Sequence, residues 1–228
     1  MDGTELKHAR LASTWTQHEA AQKLGVTQAY LSMVERGTRP VSSELASRAM
    51  GVFEVPATAL PLGKYEHASR GELYFKQLLG ALGYSGFAYL RGAVKANPAE
   101  LLMEALDSEN LDSRVTEALP WVPVAYPKLD WVWLTINAKV RDRQNRLAFV
   151  VSLASQVAEK KGDAGLAKSL FERAGTLERS RLAGEDTLCK ESMTQVERKW
   201  LRSHRTTAAE HWNLLTDLSA EQLDHAFH

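Results

Sequence analysis

The sequence predicts an all-α protein with two domains: a small N-terminal five-helix domain and a larger, mostly helical C-terminal domain. Three observations predict this fold class. Apolar residues recur at helical spacing through most of the 228 residues. Serine, threonine or aspartate precedes many of these runs, where a side-chain oxygen can accept a hydrogen bond from a backbone amide at the start of a helix. The alternation of apolar and polar residues that is typical of a half-buried strand does not occur in the sequence.

Residues 16–39 have the pattern of two short helices joined by a tight turn. Thr16 and Glu19 have the spacing of a capping box, which predicts the start of the first helix. Gly25 accommodates a positive φ angle and therefore predicts the end of that helix. Thr27 is placed to cap the second helix, and Gly37 is placed to end it.

Three further helices are predicted in the N-terminal domain. One covers residues 4–13, another covers residues 45–53, and a short fifth helix has Pro56 at its first position. Proline is tolerated there because the amide that it lacks has no partner within the helix. Residues 60–64 read as a linker, so the predicted domains are 1–63 and 66–228.

The helical pair carries the residues of a helix-turn-helix motif. Ala21 is small where the second helix must cross the first, Gly25 lies in the turn, and Leu31 is apolar in the second helix. Leu6 and Arg10 extend the match before the pair. The first sixty residues or so resemble the Cro/lambda-repressor-like (XRE) family, and modules of about this length fold as domains. The resemblance implies a sequence-specific regulator of transcription, most simply a repressor, that binds double-stranded DNA.

The resemblance also implies which residues bind DNA. Gln28 would pair with adenine in the major groove, and Gln17, eleven residues earlier, would brace it. Ala29 and Met33 are apolar and would contact thymine methyl groups, whereas Arg36 would meet phosphates. The full predicted set is Gln17, Thr27, Gln28, Ala29, Tyr30, Ser32, Met33, Arg36, Thr38 and Arg39. The alternative is a plain helical hairpin in which these residues are only solvated.

Arg10 and Glu35 are expected to pair inside the fold. The charge of residues 1–63 is balanced, with six basic and six acidic side chains. Affinity for DNA comes largely from neutralised phosphates, so one neutral module should bind weakly. We therefore expect a homodimer on a pseudo-palindromic operator.

The composition of the whole chain limits the other classes of protein. It has 28 basic and 28 acidic residues, which excludes a polybasic arm and an acidic tail. It has no apolar signal core and no run of about eighteen apolar residues, so no membrane partner is expected. The single cysteine, Cys189, cannot form an internal disulfide, and a cytoplasmic location is the default expectation.

The C-terminal domain is predicted to be helical, with one exception. The predicted helices cover residues 69–82, 98–106, 112–119, about 130–161 with a break allowed near Gln144, and the stretch beyond residue 162 to about 177. Three more capping boxes are predicted at Thr194–Glu197, Thr207–Glu210 and Ser219–Gln222. Residues 120–127 contain three prolines and are predicted to be extended.

Two groups of side chains in this domain carry functional alternatives. Trp121, Tyr126, Trp131 and Trp133 form either a partner-binding surface or a buried strap over the core. A protein partner such as the toxin of a toxin-antitoxin pair, with the chain as antitoxin, is one hypothesis. A pocket for a small ligand among these aromatics is another. The basic residues at positions 139, 141, 143 and 146 form either a solvated face or a patch for nucleic acid or an acidic partner.

Catalysis is not predicted, and neither a metal nor a cofactor is expected. The strongest catalytic string is Arg205 with His211 six positions later, which is similar to the arginine and histidine of helical HEPN ribonucleases. Arg198 and His204 repeat the same spacing nearby, so the string has little specificity. The sequence also lacks the His-Glu-x-x-His string of zinc peptidases.

Overall fold

The computed structural model describes residues 1–90 and 96–223. Their contacts divide them into two compact units. Unit 1 holds Met1–Lys64 together with Ala96 and Asn97, and unit 2 holds residues 65–90 and 98–223. The chain is 61% helical, with 13 helices and almost no sheet in the described part, so the all-α prediction is confirmed.

Unit 1 contains four α-helices around one small core. These are α1 (Gly3–Ala12), α2 (Gln17–Leu24), α3 (Gln28–Glu35) and α4 (Ser43–Phe53). The capping box of Thr16 and Glu19 starts α2 as predicted. The core is formed by Leu6, Ala20, Ala21, Leu24, Leu31, Val34, Leu45 and Ala49. It is covered at one side by Trp15, whose ring centroid lies 5.3 Å from that of Phe53.

The predicted fifth helix is a single 3-10 turn at Ala57–Ala59. Pro56 is the residue before this turn, not its first helical position. The turn ends at Leu60, which has an extended ψ of 139°. Pro61 explains this conformation, because a proline ring disfavours helical ψ in the residue before it.

Unit 2 is a larger helical body. Its helices are α5 (Glu72–Ala81), α6 (Pro98–Asp107), α7 (Ser113–Ala118), α8 (Trp121–Ala125), α9 (Trp131–Val140), α10 (Gln144–Lys160), α11 (Ala164–Gly175), α12 (Gln195–His204) and α13 (Thr207–His211). Most residues of α6 and α10 are buried, so these two helices form the centre of the core. Two short strands, β1 (Asp186–Thr187) and β2 (Leu214–Leu215), pair in parallel.

The prediction that residues 120–127 are extended is wrong, because Trp121–Ala125 form the short helix α8. Pro120 is its N-cap and Pro123 is its third residue. The first four amide groups of a helix have no partner within the helix, so a proline in the first turn costs no hydrogen bond. Pro120 therefore precedes the first helical residue of α8, Pro123 lies in its first turn, and Pro127 lies after its end.

The capping predictions in unit 2 have mixed outcomes. Thr194 and Glu197 form the predicted box at the start of α12. The box of Thr207 with Glu210 is wrong: Thr206 is the N-cap of α13, and its hydroxyl accepts from the Ala209 amide. The Ser219 amide donates to Gln222 Oε1 at 2.9 Å, but no helix follows within the described residues.

The basic residues near α10 form neither a solvated face nor a free patch. Arg141 and Arg143 both lie within 3.4 Å of the buried carboxylate of Asp107. Arg146 is fully buried and pairs with Asp186 at 2.7 Å. Asp107, Asp186 and Glu191 therefore pair with three of the four cations, and Lys139 is exposed. The predicted break near Gln144 is confirmed, because α9 ends at Val140 and α10 begins at Gln144.

Candidate DNA-binding surface

Helices α2 and α3 are joined by three residues and cross closely. Gly25 ends α2 with a left-handed φ of 64°, which glycine adopts without strain. Ala21 is only 2% exposed, so the small residue predicted at the crossing lies in the core. The Thr27 hydroxyl accepts from the Tyr30 amide at 3.2 Å and caps α3. These contacts hold α3 as a two-turn helix on the surface of unit 1.

One face of α3 points away from the core. Leu31 and Val34 bury the inner face. Gln28 and Ala29 are exposed at the N-terminus of the helix, and Ser32, Met33 and Arg36 continue the same face. An α-helix with its side chains is about 10–12 Å across, so α3 can enter a major groove about 12 Å wide with this face toward the bases.

A chain of hydrogen bonds holds the Gln28 side chain. Gln28 Nε2 donates to Gln17 Oε1 at 2.8 Å, and Gln17 Nε2 donates to Glu35 Oε2 at 2.9 Å. Arg10 donates to both oxygens of Glu35, at 2.7 and 3.0 Å. The expected pairing of Arg10 with Glu35 is confirmed. Arg10 also donates to the Trp15 carbonyl at 2.7 Å, so the chain ends in the backbone of unit 1.

The charge of Glu35 sets the direction of every hydrogen bond in this chain. Burial raises the pKa of Glu35, but the hydrogen bonds from Arg10 and Gln17 outweigh burial, so the net pKa is lowered. The ionised carboxylate can only accept, and it therefore takes the amide nitrogen of Gln17. Gln17 is left with its oxygen toward Gln28. Gln28 must then turn Nε2 toward Gln17 and keeps Oε1 and one N–H for another partner.

The other predicted DNA-binding residues lie around this face, with one exception. Arg36 Nε donates to the Ser32 carbonyl at 3.2 Å, and Thr38 Oγ1 donates to the Met33 carbonyl at 2.7 Å. Arg39 is exposed just beyond them. Tyr30 is the exception, because it packs against the core of unit 1 on the other side of α3.

Sequence reasoning missed the link between Gln17 and Glu35. It paired Glu35 only with Arg10 and assigned the support of Gln28 to Gln17 alone. The signal was available, since Glu35 is an acidic residue flanked by the apolar Val34 on a helix with few other charges. One arginine donates two parallel hydrogen bonds to a carboxylate, so a buried glutamate can still accept from a further donor such as Gln17.

The four aromatics considered as a partner-binding surface or a buried strap make different contacts. Trp121 lies 5.9 Å from Tyr126, whose hydroxyl donates to the Leu82 carbonyl. Trp133 packs edge-on against Tyr65 at 6.0 Å. Trp131 Nε1 donates to the Pro127 carbonyl at 3.3 Å, and the residue lines an open groove. All four side chains are half-buried.

The other sites considered from the sequence have little geometric support. His211 Nε2 lies 2.8 Å from Glu178, and His204 stacks on Trp200 at 4.3 Å. Within residues 1–90 and 96–223, no group of three or more His, Cys, Asp or Glu could hold a metal ion. In the same part of the chain, no helix is long and apolar enough to cross a membrane.

Comparison with protein families identifies the class of unit 1. Residues 6–60 match the family model described as Helix-turn-helix (HTH_3). The matched residues include Arg10 of α1 and all of α2, α3 and α4, and therefore all four side chains that connect Gln28 to Arg10. The match supports a DNA-binding transcriptional regulator of the XRE type. Comparisons with curated proteins and with solved structures gave no match.

Proposed function

We propose that this protein represses transcription by binding a specific DNA site with α3 in the major groove. The observation that carries the proposal is the hydrogen-bonded chain Gln28–Gln17–Glu35–Arg10. A flexible glutamine on a solvated surface has no need of a partner that is itself held by a buried ion pair. A glutamine that reads a base benefits from such a partner, because its side chain is then ordered before DNA binds and the entropy cost is not added to binding.

The orientation of Gln28 suits adenine. Adenine presents a donor at N6 and an acceptor at N7 in the major groove. Gln28 Oε1 would accept from N6, and the N–H that Gln17 does not use would donate to N7. Ala29 and Met33, further along the face, would contact thymine methyl groups. Arg36, Thr38 and Arg39 would contact phosphates, which place the helix without reading sequence.

Two copies of unit 1 are needed for tight binding, because the net charge of residues 1–63 is zero. A homodimer would place one α3 in each of two half-sites about 34–36 Å apart on a pseudo-palindromic operator. Repression would follow if the dimer occupies a promoter and excludes the transcription machinery from it.

The experiment begins with selection of the preferred site from a random DNA library. Fluorescence anisotropy then compares that site with scrambled DNA for the wild type, Gln28→Ala and Gln22→Ala. Gln22 is the matched control, since it is an exposed glutamine on α2 outside the predicted set. Gln28→Ala should weaken binding to the selected site by about 1–3 kcal/mol and leave scrambled DNA nearly unchanged. Equal weakening on both DNAs would exclude Gln28 as a base reader.

An antitoxin-type role is the second candidate, in which unit 2 holds a toxin and couples that contact to control of its own operon. A cleft of about 900 Å³ between α7 and α12 favours it. Val196 and Trp200 are exposed along one wall, which suits an apolar partner. The test is co-expression with the adjacent gene product. Trp200→Ala should lose a stoichiometric complex that Trp121→Ala retains, and a chain that purifies alone under these conditions would rule the role out.

A further inference from the structure

The cleft between α7 and α12 has an apolar base and an apolar stripe along one wall. Leu188, Leu215 and Leu218 line its base and are buried. Val196 and Trp200 lie four residues apart on α12 and are 79% and 50% exposed. Residues four apart are neighbours on the surface of a helix, so these two side chains form one continuous ridge. Exposed apolar surface of this kind, with polar residues around it, marks a binding site.

The charges around the cleft do not balance. Four charged side chains line it, and they are Glu117, Lys190, Glu197 and Asp217. Lys190 pairs with Glu197 at 3.5 Å. Glu117 and Asp217 are exposed, and neither forms an ion pair within residues 1–90 and 96–223. Three acids and one lysine give the rim a net charge of −2, so a complementary partner brings positive charge to it.

The walls of the cleft suit a helix. An amphipathic helix binds in a hydrophobic groove through apolar residues at positions i, i+3, i+4 and i+7, and here α7 and α12 form the two walls. An extended peptide binds by adding a strand to a sheet edge, but β1 and β2 have only two residues each. A small-molecule site covers about 70–90% of its ligand, whereas Val196 and Trp200 leave one wall open to solvent.

A second copy of this chain is a poor match for the cleft. In a twofold contact the same surface of both copies meets, so each acidic rim would face the other. Like charges placed across an interface weaken association. The charge of the rim therefore favours a different, basic partner.

Trp200 is ordered before any partner binds. The His204 ring stacks on it, with ring centroids 4.3 Å apart and planes 7° from parallel. His204 Nδ1 also lies 2.8 Å from the Trp200 carbonyl oxygen, so the stacked pair is fixed to the end of α12. A tryptophan held in this way loses little side-chain freedom on binding, and tryptophan is enriched among the residues that dominate interface energetics.

We infer that the cleft binds an amphipathic helix of a protein partner. The apolar face of that helix packs on Val196 and Trp200, and basic side chains beside this face pair with Glu117 and Asp217. The inference deepens the second candidate function and rests on it only for the assumption that unit 2 holds a protein. It adds the chemistry of the segment that the partner offers.

A peptide library displayed on phage and selected on the full chain tests this chemistry. Each peptide is about eighteen residues long, or five helical turns. Leucine is fixed at the i, i+3, i+4 and i+7 positions, and the other positions carry lysine, glutamate or glutamine at random. Selected peptides should be rich in lysine, and scrambled versions without the apolar stripe should not bind. Enrichment of glutamate, or no enrichment over the starting library, would overturn the proposal.

Fluorescence anisotropy of the best peptide then locates its binding site. Trp200→Ala should weaken binding about 30-fold, which is the effect of truncating a dominant interface residue. Phe171→Ala is the matched control, since Phe171 is 72% exposed on α11 and does not line the cleft. It should bind like the wild type, and equal losses in the two variants would contradict the assignment. Sedimentation of the free chain adds one outcome: dimers of the wild type that Trp200→Ala abolishes would assign the cleft to a second copy instead.

Charge reversal tests the rim separately from the apolar stripe. Glu117→Lys combined with Asp217→Lys should weaken the lysine-rich peptide about 10-fold or more and should favour its glutamate counterpart. Glu172→Lys combined with Glu210→Lys changes the net charge by the same amount at exposed acids outside the cleft. This second pair should leave the affinity nearly unchanged. If both pairs act alike, the peptide responds to the charge of the whole chain and the proposal fails.

The results separate from those of the proposed function. Peptide binding in the cleft by a chain that purifies without the adjacent gene product would refute the antitoxin role and leave the cleft standing. A complex with that gene product that Trp200→Ala retains would refute the cleft and leave the antitoxin role standing. The binding of DNA by α3 is measured independently of both.

Discussion

Glu35→Gln should disturb both the stability and the specificity of unit 1, because Glu35 joins the core to the reading helix. Glutamine has the shape of glutamate but replaces one acceptor with a donor. That donor would face N–H groups of Arg10 or Gln17, which lie 2.7–3.0 Å from the carboxylate in the wild type. Removal of one partner from a buried ion pair costs about 3–5 kcal/mol, and we expect about 3 because one acceptor remains.

Glu35→Gln should also affect the DNA-binding face, because the side chain at position 35 no longer fixes the orientation of the Gln17 amide. With an amide at position 35, Gln17 can turn over and present its nitrogen to Gln28. Gln28 then turns as well, so its Oε1 no longer faces adenine N6 and its free N–H no longer faces adenine N7. Binding to the preferred site should weaken by about 1–3 kcal/mol, and binding to scrambled DNA should not change.

Hydrogen exchange and pH provide the measurements. Amides of α2 and α3 should exchange faster in Glu35→Gln, while those of α10 should not change. The pKa of Glu35 is lowered in the folded state, so its charge stabilises unit 1 above the unfolded pKa near 4.5 and this contribution disappears as pH falls through the folded pKa. The stability of Glu35→Gln should lack this pH-dependent contribution, because glutamine does not titrate. If it keeps wild-type protection and specificity, the hydrogen-bonded chain does not hold Gln28.

The remaining predictions concern positions whose surroundings are well defined. A Cβ on Gly3 would lie 1.9 Å from the Val34 carbonyl oxygen, so Gly3→Ala should destabilise unit 1; Gly51→Ala meets no atom within 4 Å in α4 and should stabilise it by up to about 1 kcal/mol in denaturant titrations. Arg39→Ala should weaken binding to all DNA sequences and reduce the salt dependence by about one phosphate contact. Burial raises the pKa of Cys189 to about 11, so a thiol reagent at pH 8 should not modify it until the chain unfolds.

Local features of unit 1 could be predicted from the sequence because their partners are close in the chain. Thr16 and Glu19 are three residues apart, and Gly25 is needed wherever a helix must end in a left-handed turn. The support of Gln28 by Gln17 came from the resemblance to a known family. Neither periodicity nor composition predicts a contact between two glutamines on different helices.

The prolines of residues 120–127 explain why an extended segment was predicted where α8 forms. Proline prevents a helix interior but permits the first turn, and the distinction depends on where the helix starts. Leu119 and Pro120 take helical angles that let α8 follow α7 directly. The start of α8 depends on these backbone angles, which no local residue spacing predicts.

Only the tertiary structure decided which side chains of unit 2 meet. Asp107 lies 34 and 36 residues from Arg141 and Arg143, and Asp186 lies 40 residues from Arg146. In the sequence these arginines are a cluster of positive charge; in the fold their partners come from α6 and β1 and neutralise them. The sequence by itself determined most of the helices, the capping boxes of α2 and α12 and the motif, because those depend on contacts within a few residues. Only the fold shows that Val132, Ile136 and Val140 of α9 are exposed while Leu134 and Ala138 are buried, since apolar residues fit either side of a helix until its neighbours are in place.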